Sequence, residues 1–309
     1  MQRRRVAVLA GGTGSVKLVR GLYNLREVDL SVVSNVGDNI WLHGLYVCPD
    51  IDTVLYGLAG ILDTARGWGI KGDTFECLAA ARALGATAWF ALGDRDLATH
   101  ITRTELMAEG KALSEVTAII ASRLSVRAKI VPATDSHVPT MIETGKGRMH
   151  LQEFWVKNRG RPAVKSVSYE GIEKASACPA AVEAISNADT IVIAPGNPIS
   201  SIGPIFNIAE IKSALVKRKQ DVIAVSPVVG ASAISGPAAK YMKAAGLQSS
   251  TAGIAKYYSE ICSSIAFAVE DGRNSASIRR FGVEPFLTNI IMKSPADEVR
   301  LARELLSRD

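Results

Sequence analysis

Three stretches rich in small residues each follow an apolar run and precede residues at helical spacing: "AGGTGSVK" (Ala10 to Lys17), "APGNPISSIGP" (Ala194 to Pro204) and "SPVVGASAISGPAAK" (Ser226 to Lys240). In this strand, turn, helix order, glycines let the backbone approach a ligand. The free N–H groups of the helix start then favour an anion such as phosphate. Gly11, Gly12, Thr13, Gly14 and Lys17 in the first loop, Asn197, Ser200 and Ser201 in the second, and Ser226, Gly230 and Ser235 in the third are candidate contacts for a phosphorylated nucleotide. One such loop is often only a tight turn, whereas three in equivalent positions point to a nucleotide. Neither named fingerprint fits. Starting G-x-G-x-x-G at Gly12 puts Lys17 where the third glycine belongs, and the next strand, "DLSVVSNV", ends in Ser34 and Asn35 where a nicotinamide site needs an acidic residue. A G-K-[ST] ending of a P-loop is also missing.

The second group is acidic: Asp38 in "NVGDNIW", Asp50 and Asp52 in "CPDIDT", Asp94 and Asp96 in "LGDRDLATH". Taken singly they read as helix-start residues, with Asp52 as N-cap of a helix beginning near Thr53 and Asp96 serving the next one. Taken together beside an anion site, they offer the hard oxygen ligands that Mg²⁺ takes along with nucleotide phosphates. His100 and Arg103 follow Asp96 on one helix face, as a solvated stripe or as the wall of a polar cleft with His100 carrying a proton. Trp41, Trp68 and Trp155 are either core residues or stacking surfaces for a flat heterocycle.

These residues are carried by a chain of 309 residues with 48% hydrophobic and 21% charged residues, the composition of an ordinary globular protein of one large or two smaller domains. A strand precedes the first glycine loop and another spans about Val28 to Val36. From Thr53 to about Leu124 the pattern is helical and reads as an insertion. Strands return with "AKIVPAT", "TMIETG", "RMHLQEFWV" and "VKSVSYEG". After these, helices alternate with "DTIVIAPG", "DVIAVSPVVG" and "SIAFAVED", up to a final amphipathic helix from about Ala296. The expectation is a Rossmann-like α/β/α core with a mainly parallel sheet, formed by residues 1–50 and 126–309, and a helical subdomain over residues 51–125.

The net charge of +6 suits an anionic small molecule. The basic clusters Arg3-Arg4-Arg5 and Lys217-Arg218-Lys219 lack interleaved aromatics, which argues against a nucleic-acid partner. The apolar run after the N-terminal arginines is too short for an export signal, and no run approaches a membrane span of ~18 residues. Four scattered cysteines, Cys48, Cys77, Cys178 and Cys262, read as reduced thiols of a cytoplasmic protein.

The stretches "LAGGTGSVKLVRGL", "NVGDNIWLHGLYVCPDIDTVLY", "RGWGIKGDTF", "LGDRDLATHITRT", "MHLQEFWV", "APGNPISSIGPI" and "SPVVGASAISGPAAK" together resemble the 2-phospho-L-lactate transferase family of coenzyme F(420) biosynthesis. The resemblance implies a Rossmann-like core and a Mg²⁺-dependent reaction. In it a phospholactyl or phosphoenolpyruvyl group passes from a guanosine diphosphate-linked donor to the ribityl hydroxyl of the deazaflavin precursor, and GMP is released. It implies that the three glycine loops hold the guanosine diphosphate, and that Asp38 with Asp50 and Asp52 holds the metal. Asp52 would contact the acceptor side chain and accept its proton, with Asp94 and His100 as further catalytic candidates and Asp50, Trp41 and Arg95 as acceptor contacts. The partners implied are small molecules, together with a family tendency toward homodimers. Many family members carry two acidic residues after the second strand, where this chain has Asp38 and Asn39. Archaeal members carry a Lys where this chain has Ala91, and "WFALGDRDLATH" looks more like the bacterial members that use the enolpyruvyl donor. The rival expectation is a nucleotide-sugar-binding regulator of a related family that shares the "GGTG" opening.

Overall fold

A computed structural model describes residues 3–230, 232–233 and 237–307; Ser235 of the third loop lies outside them. Seven parallel strands form the central sheet among the described residues: β1 (Arg4–Ala10), β2 (Val28–Ser34), β3 (Lys129–Pro132), β4 (Thr190–Ile193), β5 (Val222–Val225), β6 (Ser264–Phe267) and β7 (Glu284–Leu287). Their order across the sheet is β7-β6-β5-β4-β1-β2-β3. The chain therefore runs outward from β1 through β2 to β3, returns to β4 beside β1, and runs outward the other way. In the register, Val8 pairs with Val32 on one side and Val192 on the other. Strands β4 and β5 are buried along their whole length. Near-continuous apolar runs are what a parallel sheet covered on both faces demands.

Side chains alternate across β1 into two cores. Val6, Val8 and Ala10 face α1 (Gly12–Tyr23), α2 (Pro49–Ala59) and the C-terminal helix Pro295–Leu306, while Ala7 and Leu9 face the helices Pro179–Asn187 and Ala209–Lys217. The helical stretch after β2 contains α2, α3 (Glu76–Ala83), α4 (Asp94–Ala108) and α5 (Leu113–Arg123). Helices α2 and α5 share the first core with the sheet through Ile51, Val54, Leu55, Val116 and Ile120, whereas α3 buries no residue.

Two local departures from the sequence reading bear on the site. Helix α2 begins at Pro49, not near Thr53, because proline at the first helical position is pre-set for the helix and needs no N–H partner. The stretch "RMHLQEFWV" is a strand only over Gly147–His150, and then turns into a wide helical turn, Glu153–Lys157. That strand joins Thr140–Thr144 and Val164–Tyr169 in a small antiparallel sheet beside the main one. Among the described residues no single helix is long and apolar enough to cross a membrane. One pair bent by 88°, Pro198–Phe206 with Ala209–Lys217, passes on length and composition, and its first half carries loop residues of the site.

Candidate active site

The carboxyl ends of β1 and β4 meet where the strand order reverses, the place at which open α/β sheets bind ligands. A cavity of about 360 Å³ lies there. Its floor is Gly11 to Gly14 with Gly196, Asn197, Ser200 and Ser201; its walls include Asp38, Pro49, Asp50, Thr53 and Gln152, the aromatic rings of Trp68, Trp89, Phe90 and Trp155, and Tyr241. Glycine is required in the floor by contact. A Cβ on Gly11 would stand 2.7 Å from Asn35 Cβ and from the Ser201 carbonyl oxygen, and 2.9 Å from an Asp50 carboxylate oxygen. Gly12 follows with φ of 74°, a left-handed conformation that side chains resist. The N-cap of helix α1, Gly11, offers no side-chain cap, and Asp50 takes the Gly12 amide, so the N–H groups that follow in the first turn are the ones open to a ligand.

Asn35, just beyond the end of β2, organises the acidic wall. Its Nδ2 donates to Asp38 Oδ1 and to Asp50 Oδ2, each at 2.8 Å, and approaches the Ser200 carbonyl at 3.2 Å. Its Oδ1 accepts from the Gly37 amide at 2.8 Å, which fixes the orientation of the amide group. Gln152 Nε2 donates to the other Asp38 oxygen at 2.8 Å. The two hydrogens of Asn35 thus serve three acceptors, and the carboxylate pair is under-compensated. Burial, joined by the charge of Asp50, raises the Asp38 carboxyl well above the usual range. Burial pushes Asp50 up to about 6, against the bonds from Asn35 and the Gly12 amide.

This donor chemistry fits a hard divalent cation. Mg²⁺ is held by one or two carboxylates plus waters and substrate phosphates, not by a full protein cage. Among the described residues no group of three or more His, Cys, Asp or Glu is placed to hold a metal ion, so two carboxylates facing a phosphate-sized space match Mg²⁺ better than zinc.

Asp52 faces the other way. Both of its oxygens are taken by the fully buried guanidinium of Arg103: Nη1 donates to Oδ2 at 3.1 Å and Nη2 donates to Oδ1. His100 stands between two carboxylates, with Nδ1 3.6 Å from Asp52 and Nε2 3.3 Å from Asp96, while the Tyr56 hydroxyl donates to Asp96 at 2.7 Å. The stripe of Asp96, His100 and Arg103 is therefore buried, and its Asp96 and His100 line a side cavity of about 60 Å³ that adjoins the aromatic wall. Burial raises the Asp96 carboxyl, but the bonds from His100 and Tyr56 outweigh it and the net shift is downward.

The other residues singled out by sequence have different surroundings. Asp94 caps α3, accepting from Thr74 Oγ1 at 2.6 Å and from the amides of Glu76 and Cys77 at 3.0 Å; these bonds, that from Thr74 foremost, lower its pKa. Arg95 is exposed and donates to the Lys71 carbonyl at 2.6 Å. Trp41 packs on Tyr46, with ring centroids 4.9 Å apart, outside the cavity. Lys17 points away from it to the Met292 carbonyl at 2.9 Å. Ser226 is buried against Val228 and Thr251, and the Gly230 amide donates to Asp271. Asn197 is the loop residue that caps its own turn: its Oδ1 accepts from Ile199 and Ser200, leaving a buried Nδ2 with no partner among the described residues.

Four wall residues, Trp89, Phe90, Gln152 and Tyr241, and Asn35 behind the acidic wall, escaped the sequence reading. Only Asn35 carried a signal, since it occupies the place after the second strand where a nucleotide fold keeps its ribose contact.

The 2-phospho-L-lactate transferase CofD family matches residues 6–277. The chain is 43% identical over 303 residues to the 2-phospho-L-lactate transferase of Methanopyrus kandleri, covering 98% of this chain and 96% of that one. It is 40% identical over 306 residues to the enzyme of the same name from Methanocaldococcus jannaschii, at 97% of each chain. Over 260 residues, 82% of each chain, it is 40% identical to the phosphoenolpyruvate transferase of Streptomyces griseus. A solved structure from the UPF0052 family of Bacillus halodurans shares the fold, with a TM-score of 0.68 at 16% identity over 99% of this chain and 100% of that one. With the glycine loops at the switch point and the family match along most of its length, this chain belongs to the 2-phospho-L-lactate transferase family.

Proposed function

We propose that the protein transfers a 2-phospho-L-lactyl or phosphoenolpyruvyl group from a guanosine diphosphate-linked donor to the ribityl hydroxyl of a deazaflavin precursor, with release of GMP, as a step of coenzyme F(420) biosynthesis. One observation carries the reading. The cavity's charged side chains, among the described residues, are Asp38 and Asp50, set between a glycine floor and an aromatic wall. The floor suits a diphosphate, and Trp68, Trp89, Phe90 and Trp155 suit a flat ring system. Asp38 and Asp50 would hold Mg²⁺, which when bound neutralises charge on the phosphate oxygens.

The ribityl oxygen attacks the phosphorus that bears the lactyl or enolpyruvyl group, the bond from that phosphorus to GMP breaks, and GMP leaves with the electron pair. Such a displacement asks the protein mainly for position and electrostatics. The glycine floor and the Asn197 turn position the diphosphate, and the aromatic wall positions the acceptor. Asp38 and Asp50 are the charged groups of the described lining, so the hydroxyl proton would pass to one of their carboxylate oxygens not bound to the cation. The test is product formation from the deazaflavin precursor with Mg²⁺ and each donor in turn. Conversion with either donor supports the reading. Lack of conversion with both, together with thermal stabilisation by a uridine diphosphate sugar and none by GDP, would replace it with nucleotide-sugar binding.

A further inference from the structure

Tyr241 is fully buried on the helix Ala238–Ala244, with its ring 5.8 Å from that of Phe154, and it forms part of the cavity wall. Its buried hydroxyl has no hydrogen-bond partner among the described residues. A phenylalanine would fill the same space without the penalty of an unpaired polar group, so a tyrosine here calls for a ligand acceptor. The helix packs against the Pro198–Ile202 turn, the turn that Asn197 caps with its own unpartnered Nδ2. Two neutral, unpaired donors thus border a cavity whose described lining holds two carboxylates and no Lys, Arg or His.

We propose that Tyr241 is a substrate-binding residue whose hydroxyl, alongside the Asn197 amide, donates to a phosphate oxygen held against the Asp38 and Asp50 pair. The inference rests on the reading that a diphosphate occupies this cavity. Burial, and after it the negative charge of Asp38, raises the Tyr241 phenol, so the hydroxyl keeps its proton and acts as a donor. Neutral donors suit this place because they hold an anionic oxygen without competing with the cation for Asp38.

The test is Tyr241→Phe in the full chain, read by thermal melting without ligand and by calorimetric titration of GDP and of inorganic pyrophosphate in MgCl₂. The expected result is a ligand-free melting temperature that is unchanged or raised, with both probes bound about ten- to a hundred-fold more weakly, as for loss of a hydrogen bond to a charged group. A ligand-free melting temperature lowered by several degrees would mean that the hydroxyl bonds to the protein itself, and would overturn the proposal. Wild-type affinity for both probes in the variant would overturn it too, while leaving the diphosphate reading intact. Weakened GDP binding with unchanged pyrophosphate binding would remove the phosphate assignment. Failure of the wild-type protein to bind either probe would remove the diphosphate reading, and the proposal with it.

Discussion

Asp50 and Asp52 are two positions apart on the first turn of α2, and at 3.6 residues per turn their side chains leave the helix about 200° apart. One meets the cavity and Asn35, the other meets Arg103 in the interior. Their substitutions should separate cleanly. Asp52→Asn leaves the buried guanidinium of Arg103 uncompensated and should cost about 3–5 kcal/mol of stability. Asp50→Asn removes a like charge beside Asp38, and should leave the metal-free protein as stable or more so while abolishing its Mg²⁺ response and turnover. Thermal melting with and without MgCl₂ checks both, and the opposite ranking would refute the assignment. The pH dependence has a definite sign. The native Asp50 carboxyl sits at about 6 against 3.8 for an ordinary one, so the native state binds this proton more tightly than the unfolded chain does. The stabilisation is complete below about pH 4 and is lost as pH rises through about 6, and the raised Asp38 works in the same direction. Melting of the chelator-treated protein minus that of Asp50→Asn should fall across this window. The stabilisation given by MgCl₂ should grow across it, and a flat difference would contradict the arrangement.

At the scale of elements, the strand, glycine turn and helix at the start of the chain were readable because apolar period, glycines and helical spacing all lie within one short stretch. Gly11 shows why the motif is stricter than a turn, since its Cβ position is already occupied by Asn35, Ser201 and Asp50. Gly11→Ala should therefore overpack the junction at a cost of about 1–3 kcal/mol and push Asn35 off its two carboxylates. The measurement is a melt together with a Mg²⁺ titration, and an alanine variant that keeps both would show that the junction yields. The start of α2 was misread because an acidic residue makes a good N-cap, whereas Pro49 had already opened the helix. "RMHLQEFWV" misled because apolar and aromatic residues mark buried strands as well as the wide turn that follows Gln152 and presents Trp155 to the cavity. Gln152, Trp89 and Tyr241 lie on three segments far apart in sequence, Trp89 in the loop between α3 and α4. They become neighbours only when the small sheet and the helical stretch close over the switch point, and no local pattern records that.

At the scale of the molecule, the net charge of +6 suggested an anionic ligand, yet the charge and the site are separated. Lysines and arginines are absent from the described cavity lining, where the two charged side chains are both acidic. The general positive field of the protein acts through solvent and is screened beyond ~10 Å at 0.1 M salt. It can raise the encounter rate of an anion, but it cannot neutralise a diphosphate lying against Asp38 and Asp50. That neutralisation falls to a divalent cation, with backbone amides and neutral side chains fixing geometry. Two different dependences of GDP binding follow. Removing divalent cations with EDTA should weaken affinity more than about ten-fold, the loss expected when one charge-assisted contact or more disappears. Raising NaCl at constant MgCl₂ should change it only slightly, since no basic side chain of the lining contributes an ion pair for salt to screen. Calorimetric titrations over both series decide the matter. Steep salt dependence with indifference to EDTA would mean that a Lys or Arg from outside this lining grips the phosphates, and would move the charge balance of the site from metal to protein.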